Sequence, residues 1–305
     1  MFLSIIIAAY NAAKTIGKTL ASIEPLLSDE LEVVVVNDGS TDDTQKIIDC
    51  YEWVITINQY NKGVSAARNA GIGQARGKYL WFVDADDYMD AQAAKSLLDK
   101  IRNQDFDFVW FANMNVVNGQ KRKAFNMPNG ISDMPITTEQ WRKFYQGAGM
   151  LWQYWLRRDI IIQQHIHFIE WAKWFEDTHF LLWFTSKTHN AYISSSVLYY
   201  YVFNPQGAMR NSLLEDRHKC SIKLSIDLLN RGGDKPALKF IKKNVAISMA
   251  WCIREAQDDY AKELYDMCKN AGAFPLVISG TLKQKIQILL LNVNFTLYRL
   301  FCKLI

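Results

Sequence analysis

Three carboxylates stand almost side by side in the stretch Tyr79-Leu80-Trp81-Phe82-Val83-Asp84-Ala85-Asp86-Asp87-Tyr88. At this spacing Asp84, Asp86 and Asp87 repel one another. A hard divalent cation with oxygen ligands offsets such crowding, and ions of this kind usually hold substrate phosphates as well. The residues before the acids, Tyr79 to Val83, are apolar or aromatic and predict a buried strand. The acids then fall at its carboxyl end, where open α/β sheets place their ligand crevice. A solvated acidic turn accounts for Asp-x-Asp-Asp taken alone.

Other residues offer further chemistry, each beside a plainer reading. Asp38 ends a valine-rich run in the turn Asn37-Asp38-Gly39-Ser40-Thr41-Asp42. A carboxylate there can accept a hydrogen bond from a base edge such as the imide of uracil, and an Asx turn explains the same residues. Arg68 lies among small residues and can give a nucleotide diphosphate bidentate hydrogen bonds, or serve as an ordinary surface cation. Glu176-Asp177 follows the aromatic stretch Trp171 to Phe175. Against aromatic walls a carboxylate loses hydration and becomes a stronger proton acceptor, as a general base must be. Acids opening a helix also complement its dipole. Neighbours on a helix diverge by about 100°, so only one of this pair faces a given cleft.

Trp152, Trp155, Trp171 and Trp174 fall within 23 residues. They are core filler or, at Trp152 and Trp171, apolar platforms for sugar rings. After a tyrosine-rich strand, the loop bearing Arg210 is a candidate lid over a substrate phosphate or a connector. The five histidines, His165, His167, His179, His189 and His218, show no metal-ligand spacing and are read as packing or surface residues.

The elements that must position these groups follow from periodicity. Ser4–Ala9, Glu32–Val36, Trp53–Asn58, Tyr79–Val83 and Phe106–Ala112 read as strands. Between them, Ile16, Leu20, Ile23 and Leu27 form one helical face that frays at Pro25. Ser40 and Asp43 form a capping-box pattern for a helix from Thr41 to Cys50. Asn61–Gly77, rich in Gly and Ala, predicts a helix pressed closely onto a sheet or a ligand. Asp90 caps a helix from Ala91 to Arg102. This alternation predicts a largely parallel sheet with crossover helices. Glu139–Gln146 and Glu176–Lys187 read as helices, Tyr192–Phe203 as a strand pair or one long strand, and everything from Leu213 onward as helical.

Composition sets the bounds. A chain of 305 residues, half of them apolar and 22% charged, is globular rather than disordered. A net charge of +4 gives no argument for nucleic acid. The five cysteines are scattered and odd in number, as expected of a reduced, cytoplasmic chain. Phe2–Ala9 is too short for a signal sequence or membrane span and reads as the first strand.

Four stretches in order, Ser4–Asn11, Val36–Asp42, Asn61–Asn69 and Phe82–Asp87, resemble the family 2 glycosyltransferases of the GT-A fold. The similarity is dense over residues 2 to 112 and thinner through Trp152–Arg158, Glu176-Asp177 and Tyr199–Ser212. It implies a Rossmann-like, mostly parallel central sheet flanked by helices, with a helical C-terminal extension. It also implies three segments: residues 1–112 for the nucleotide sugar, 113–212 for acceptor and base, and 213–305 as the helical region. By the resemblance, Ala9, Tyr10, Asp38 and Arg68 line the nucleotide pocket, Asp84 faces the ribose, and Asp86 binds Mg²⁺ or Mn²⁺. Asp177 is the base of an inverting transfer, with Glu176, Trp152 and Trp171 toward the acceptor. The reaction implied is hexosyl or N-acetylhexosaminyl transfer from a nucleotide sugar, UDP-sugar being the family's frequent donor, to a glycan or lipid-linked acceptor. Where family members carry a basic residue after the tyrosine strand, this chain has Val202-Phe203-Asn204, which leaves Arg210 as the candidate diphosphate contact. A non-catalytic nucleotide-sugar-binding or scaffolding protein would share the fold. A nucleotidyltransferase would need a Gly-rich basic loop in place of Tyr10-Asn11-Ala12-Ala13.

Beyond Asp266 the chain has no Asp or Glu, while Lys269, Lys283, Lys285, Arg299 and Lys303 occur there. Apolar residues at 282, 286, 289, 290, 293, 297, 300, 301 and 304 form a helical stripe. Residues 282–305 therefore predict either a basic amphipathic helix lying on the inner membrane surface or a helix packed onto the domain.

Overall fold

A computed structural model describes the chain except residues 124–132, 145–149, 205–212, 232–234, 257, 277, 279–280 and 305. Its elements in order are β1 (Leu3–Ala9), α1 (Ile16–Ile23), β2 (Leu31–Asp38), α2 (Thr44–Ile48), β3 (Val54–Gln59), α3 (Val64–Gln74), β4 (Tyr79–Asp84) and β5 (Tyr88–Met89). There follow α4 (Ala91–Ile101), β6 (Phe108–Val117), β7 (Gln120–Lys123), β8 (Met134–Thr137), α5 (Thr138–Phe144), β9 (Tyr154–Arg157), α6 (Arg158–Gln163), α7 (Glu176–Thr185) and β10 (Asn190–Val202). The chain closes with α8 (Leu214–Arg231), α9 (Lys235–Glu255), α10 (Asp258–Asn270), α11 (Leu282–Val293) and α12 (Phe295–Leu304). They form two compact units, Met1–Trp171 with Thr188–Pro205, and Ala172–Lys187 with Gln206–Ile305.

The first unit is built on one sheet in the order β3-β2-β1-β4-β9-β6-β10-β5, with β7 on β6 and β8 on β10. Pairs β1–β2, β1–β4, β2–β3 and β6–β10 are parallel, whereas β9 is antiparallel to both its neighbours. The continuous apolar runs behave as expected of strands covered on both faces: Ile5, Ile6, Ile7 and Val33 to Val36 are all buried. Packing between β4, β6 and β9 is aromatic, with Trp81 at 5.3 Å from Phe111 and 5.7 Å from Trp155. As the small residues predict, α3 lies against β1, and a Cβ on Gly71 would stand 2.3 Å from Ile6 Cγ2.

Local corrections have local causes. The second helix is Thr44–Ile48 rather than Thr41–Cys50. Ser40 does not cap it, because Ser40 Oγ accepts the Asn11 N–H (3.0 Å) and Asp42 Oδ1 takes the Thr44 N–H instead (3.0 Å). Pro25 lies within a 3₁₀ turn, Glu24–Leu26, that ends α1. The stretch read as Tyr192–Phe203 forms one strand, β10 (Asn190–Val202), whose register against β6 shifts between Ser194 and Tyr199.

The second unit is helical. From His179 to Thr185 every residue of α7 is buried, so that helix is apolar on all sides. In the tail, Asn294 adopts an extended backbone and divides the predicted single helix into α11 and α12. Tyr298 donates its hydroxyl to the Ala250 carbonyl (2.6 Å), and Arg299 donates to the carbonyls of Ile253, Arg254 and Ala256 at 2.8, 3.2 and 2.9 Å. A guanidinium at the C-terminal end of α9 satisfies carbonyls that lack helical partners and meets the negative end of the dipole. Among the described residues, no helix is long and apolar enough to cross a membrane.

Candidate active site

In the first unit, the loops leaving β1 and β2 brace each other. Asn11, held at φ 49°, receives the Thr41 N–H on Oδ1 (2.8 Å), while the Ala12 N–H donates to Thr44 Oγ1 (2.7 Å) and the Ala13 N–H to Asp42 Oδ2 (3.1 Å). This frame fixes the end of β1, where Ala9 is buried and Tyr10 is half exposed to solvent. Asp38, 3% exposed, accepts hydrogen bonds from Gln59 Nε2 (2.6 Å), Lys62 N–H (2.9 Å) and Gly63 N–H (2.8 Å). A carboxylate offers about four acceptor directions, so three internal donors leave it room for one more. Gly39 makes this closeness feasible: its φ is +71°, and a Cβ there would stand 2.6 Å from the Asn61 nitrogen.

In the acid turn after β4 each carboxylate has a different environment. Asp84 pairs with Arg68 Nη2 at 3.1 Å. Asp87, 1% exposed, accepts from the Tyr199 hydroxyl and the Val202 N–H, both at 2.6 Å. Burial, aided by the Asp84 charge, pushes the Asp87 carboxyl up to about 8. Asp86 is exposed and hydrogen-bonded by Asn204; partial loss of hydration, then repulsion from Asp84, raises its pKa. Thr19 on α1 completes the turn by hydrogen-bonding the Asp87 carbonyl at 2.7 Å, with the Ala85 carbonyl at 3.0 Å. Among the described residues no group of three or more His, Cys, Asp or Glu side chains is placed to hold a metal ion by itself. Asp86 forms no ion pair among the described residues, and of the three acids it is the one that could contribute a ligand to a divalent ion.

Arg68 is buried rather than a surface cation, with its guanidinium 5.4 Å from the Phe168 ring centre. Beside it, Asn69 pairs with the Phe168 backbone like a strand neighbour, Nδ2 to O at 2.9 Å and Oδ1 to N–H at 2.8 Å. Of the aromatic platform candidates, Trp171 is 54% exposed. Trp152 is corrected: it is buried and stacked on Tyr199 at 4.5 Å, so its face is committed to the core. Arg210 lies outside the described residues.

In the second unit, Glu176 and Asp177 open α7, both partly exposed. The preceding residue, Phe175, has φ 62°, a left-handed conformation that is costly for an aromatic side chain and recurs at functional sites. His179, one turn into the helix, bonds through Nε2 to Asp227 Oδ2 on α8 (2.6 Å). Asp227 also pairs with Arg231, whose guanidinium lies 3.6 Å from the Trp183 ring centre. These hydrogen bonds outweigh desolvation and hold the Asp227 carboxyl at about 2.

Thr19, Asn69, Tyr199 and Asp227 went unmarked in the sequence, and His179 reads there only as a packing or surface residue. Only Thr19 carries a visible signal, as a hydroxyl on the buried face shared by Ile16, Leu20 and Ile23.

The sequence model of the family described as "Glycosyl transferase family 2" matches residues 4–179. The chain belongs to that family. It is similar to the uncharacterized glycosyltransferase EpsJ of Bacillus subtilis (strain 168), 29% identical over 226 residues, 71% of this chain and 64% of that protein. A shorter match, 43% identical over 88 residues, covers 28% of this chain and 35% of the Escherichia coli UDP-Glc:alpha-D-GlcNAc-diphosphoundecaprenol beta-1,3-glucosyltransferase WfaP. The chain therefore spans less than two thirds of either relative. The crystal structure of S. aureus TarS 1-349 with UDP-GlcNAc superposes with a TM-score of 0.79 at 21% identity, covering 99% of this chain and 91% of that one. This likeness establishes the GT-A fold, with its helical C-terminal region.

Proposed function

We propose that the chain is a metal-dependent, inverting glycosyltransferase that moves a hexosyl or N-acetylhexosaminyl group from a UDP-sugar to a hydroxyl of a glycan or lipid-linked oligosaccharide in surface polysaccharide biosynthesis. The observation that carries this reading is the division of labour in the acid turn. The fold neutralises Asp84 with Arg68 and buries Asp87, yet leaves Asp86 exposed at the carboxyl end of β4. A UDP donor is supported by the UDP-GlcNAc in the TarS structure, and a lipid-linked acceptor by the name of WfaP.

In this reading Ala9, Tyr10 and Asp38 receive the nucleotide, with the remaining acceptor direction of Asp38 meeting the base. Asp84 takes the ribose and Arg68 contributes positive charge beside the diphosphate. Asp86 would hold a Mg²⁺ or Mn²⁺ ion, which when bound would supply charge neutralisation for the leaving diphosphate. Asp177 accepts the proton of the acceptor hydroxyl as that oxygen attacks the anomeric carbon from the face opposite the leaving group, which inverts the centre. Glu176 and Trp171 orient the acceptor, and Arg210 is assigned to the diphosphate. The enzyme works at the cytoplasmic face of a membrane, reached through residues 282–305.

A panel of nucleotide sugars, assayed with and without Mn²⁺ for thermal shift and for nucleotide release, tests the proposal. Metal-dependent stabilisation and release with one UDP-sugar support it. Stabilisation without any release points to a binding protein, and no response to any donor removes the reading.

A further inference from the structure

We propose that the outward side of α11 and α12 is a docking surface for an anionic lipid bilayer, with both helices lying in the headgroup plane. The inference deepens the reading above, in which the acceptor is lipid-linked, and identifies the side chains that make the contact.

The apolar stripe in the tail sequence turns away from the protein. Leu282, Ile286, Leu289, Val293, Leu297 and Leu300 are 76%, 37%, 48%, 69%, 50% and 55% exposed. Leu282, Ile286, Leu289 and Val293 recur by four, three and four on one face of α11, and Leu297 and Leu300 lie three apart on α12. A different flank, Gln287, Ile288, Leu291 and Tyr298, is buried and attaches the pair to the helical unit. Packing and display therefore coexist. Scattered exposed aliphatic residues are ordinary on a soluble protein, whereas four on one face of the 12-residue α11, followed by two more on α12, are not.

Charge and composition select the occupant. Lys283 and Lys285 are exposed beside the stripe, and no acid follows Asp266 to oppose them. Arg299 is directed to the carbonyls at the end of α9, so the exposed lysines supply the positive face. Protein-binding hot spots favour Trp, Tyr and Arg, whereas every exposed member of this row is Leu, Ile or Val. Aliphatic side chains flanked by lysine suit the acyl boundary and the anionic headgroups above it. The helices are too short to cross the bilayer, which leaves an in-plane arrangement.

The test is flotation of the full chain with phosphatidylglycerol–phosphatidylcholine vesicles and with pure phosphatidylcholine vesicles. The parent chain should bind the anionic vesicles more tightly, and added salt should weaken that binding. Leu289→Gln combined with Leu297→Gln, and separately Lys283→Gln combined with Lys285→Gln, should each reduce binding by about tenfold or more. These side chains are exposed, and unchanged circular dichroism confirms that the variants fold. Absence of vesicle binding by the parent, or equal binding by the variants, overturns the inference. So does a dimer in sedimentation that the leucine variants disperse while vesicles are ignored, since a second copy would then cover the stripe. UDP release from a panel of UDP-sugars should be the same in parent and variants. If none occurs while vesicle binding responds as stated, the catalytic reading fails and the docking surface stands.

Discussion

The Tyr199 hydroxyl donates a buried 2.6 Å hydrogen bond to Asp87 Oδ2, and the same oxygen accepts the Asp84 N–H at 3.1 Å. One phenol thus fastens both ends of the acid turn to β10. Tyr199→Phe preserves the stacking on Trp152 but leaves a buried carboxyl and a backbone N–H short of a partner. It should cost about 1–3 kcal/mol of stability, read as a lower urea midpoint.

The His179–Asp227 contact predicts a pH dependence of known sign. Asp227 has a folded pKa of about 2 against an ordinary 3.8, so its contribution is fully present above 3.8 and is lost as pH falls through about 2. Asp227→Asn should therefore melt at a lower temperature at neutral pH and converge with the parent in strong acid. Melting curves of both chains across that range provide the check.

Gly71 sets the distance between α3 and β1. Gly71→Ala would put a methyl group 2.3 Å from Ile6 Cγ2, and the helix carrying Arg68 would have to shift. Overpacking of this kind costs about 1–3 kcal/mol, and the loss should appear in the denaturation midpoint with an unchanged slope.

Much of the stretch from β1 to α4 was legible because strand and helix alternate cleanly and the apolar runs of β1, β2 and β4 permit no other burial. Asp90 as a cap was equally plain, and its side chain accepts the Ala93 N–H at 2.9 Å. What stayed hidden depends on partners distant in sequence. Asp87 meets Tyr199 across 112 positions and Asn69 meets Phe168 across 99, separations that no local pattern encodes. Trp152 failed as an open platform for the same reason: tryptophan identity does not tell which face β10 will cover. In the tail, periodicity revealed the stripe, but only the tertiary structure decided that it points outward.

Asp86→Asn keeps the shape of the side chain while removing its charge. If Asp86 holds the divalent ion, the Mn²⁺ concentration for half-maximal turnover should rise by about tenfold or more, and turnover should fall by about a hundredfold. A metal titration of UDP release from the active donor measures both.

The most direct trial of the account is Asp177→Asn, read by donor titration and by turnover with the same UDP-sugar. A base that acts only on the acceptor hydroxyl predicts turnover lower by about 10²–10⁴-fold, with donor affinity within about twofold of the parent. Turnover at the parent rate would contradict the assignment and place the base on another residue.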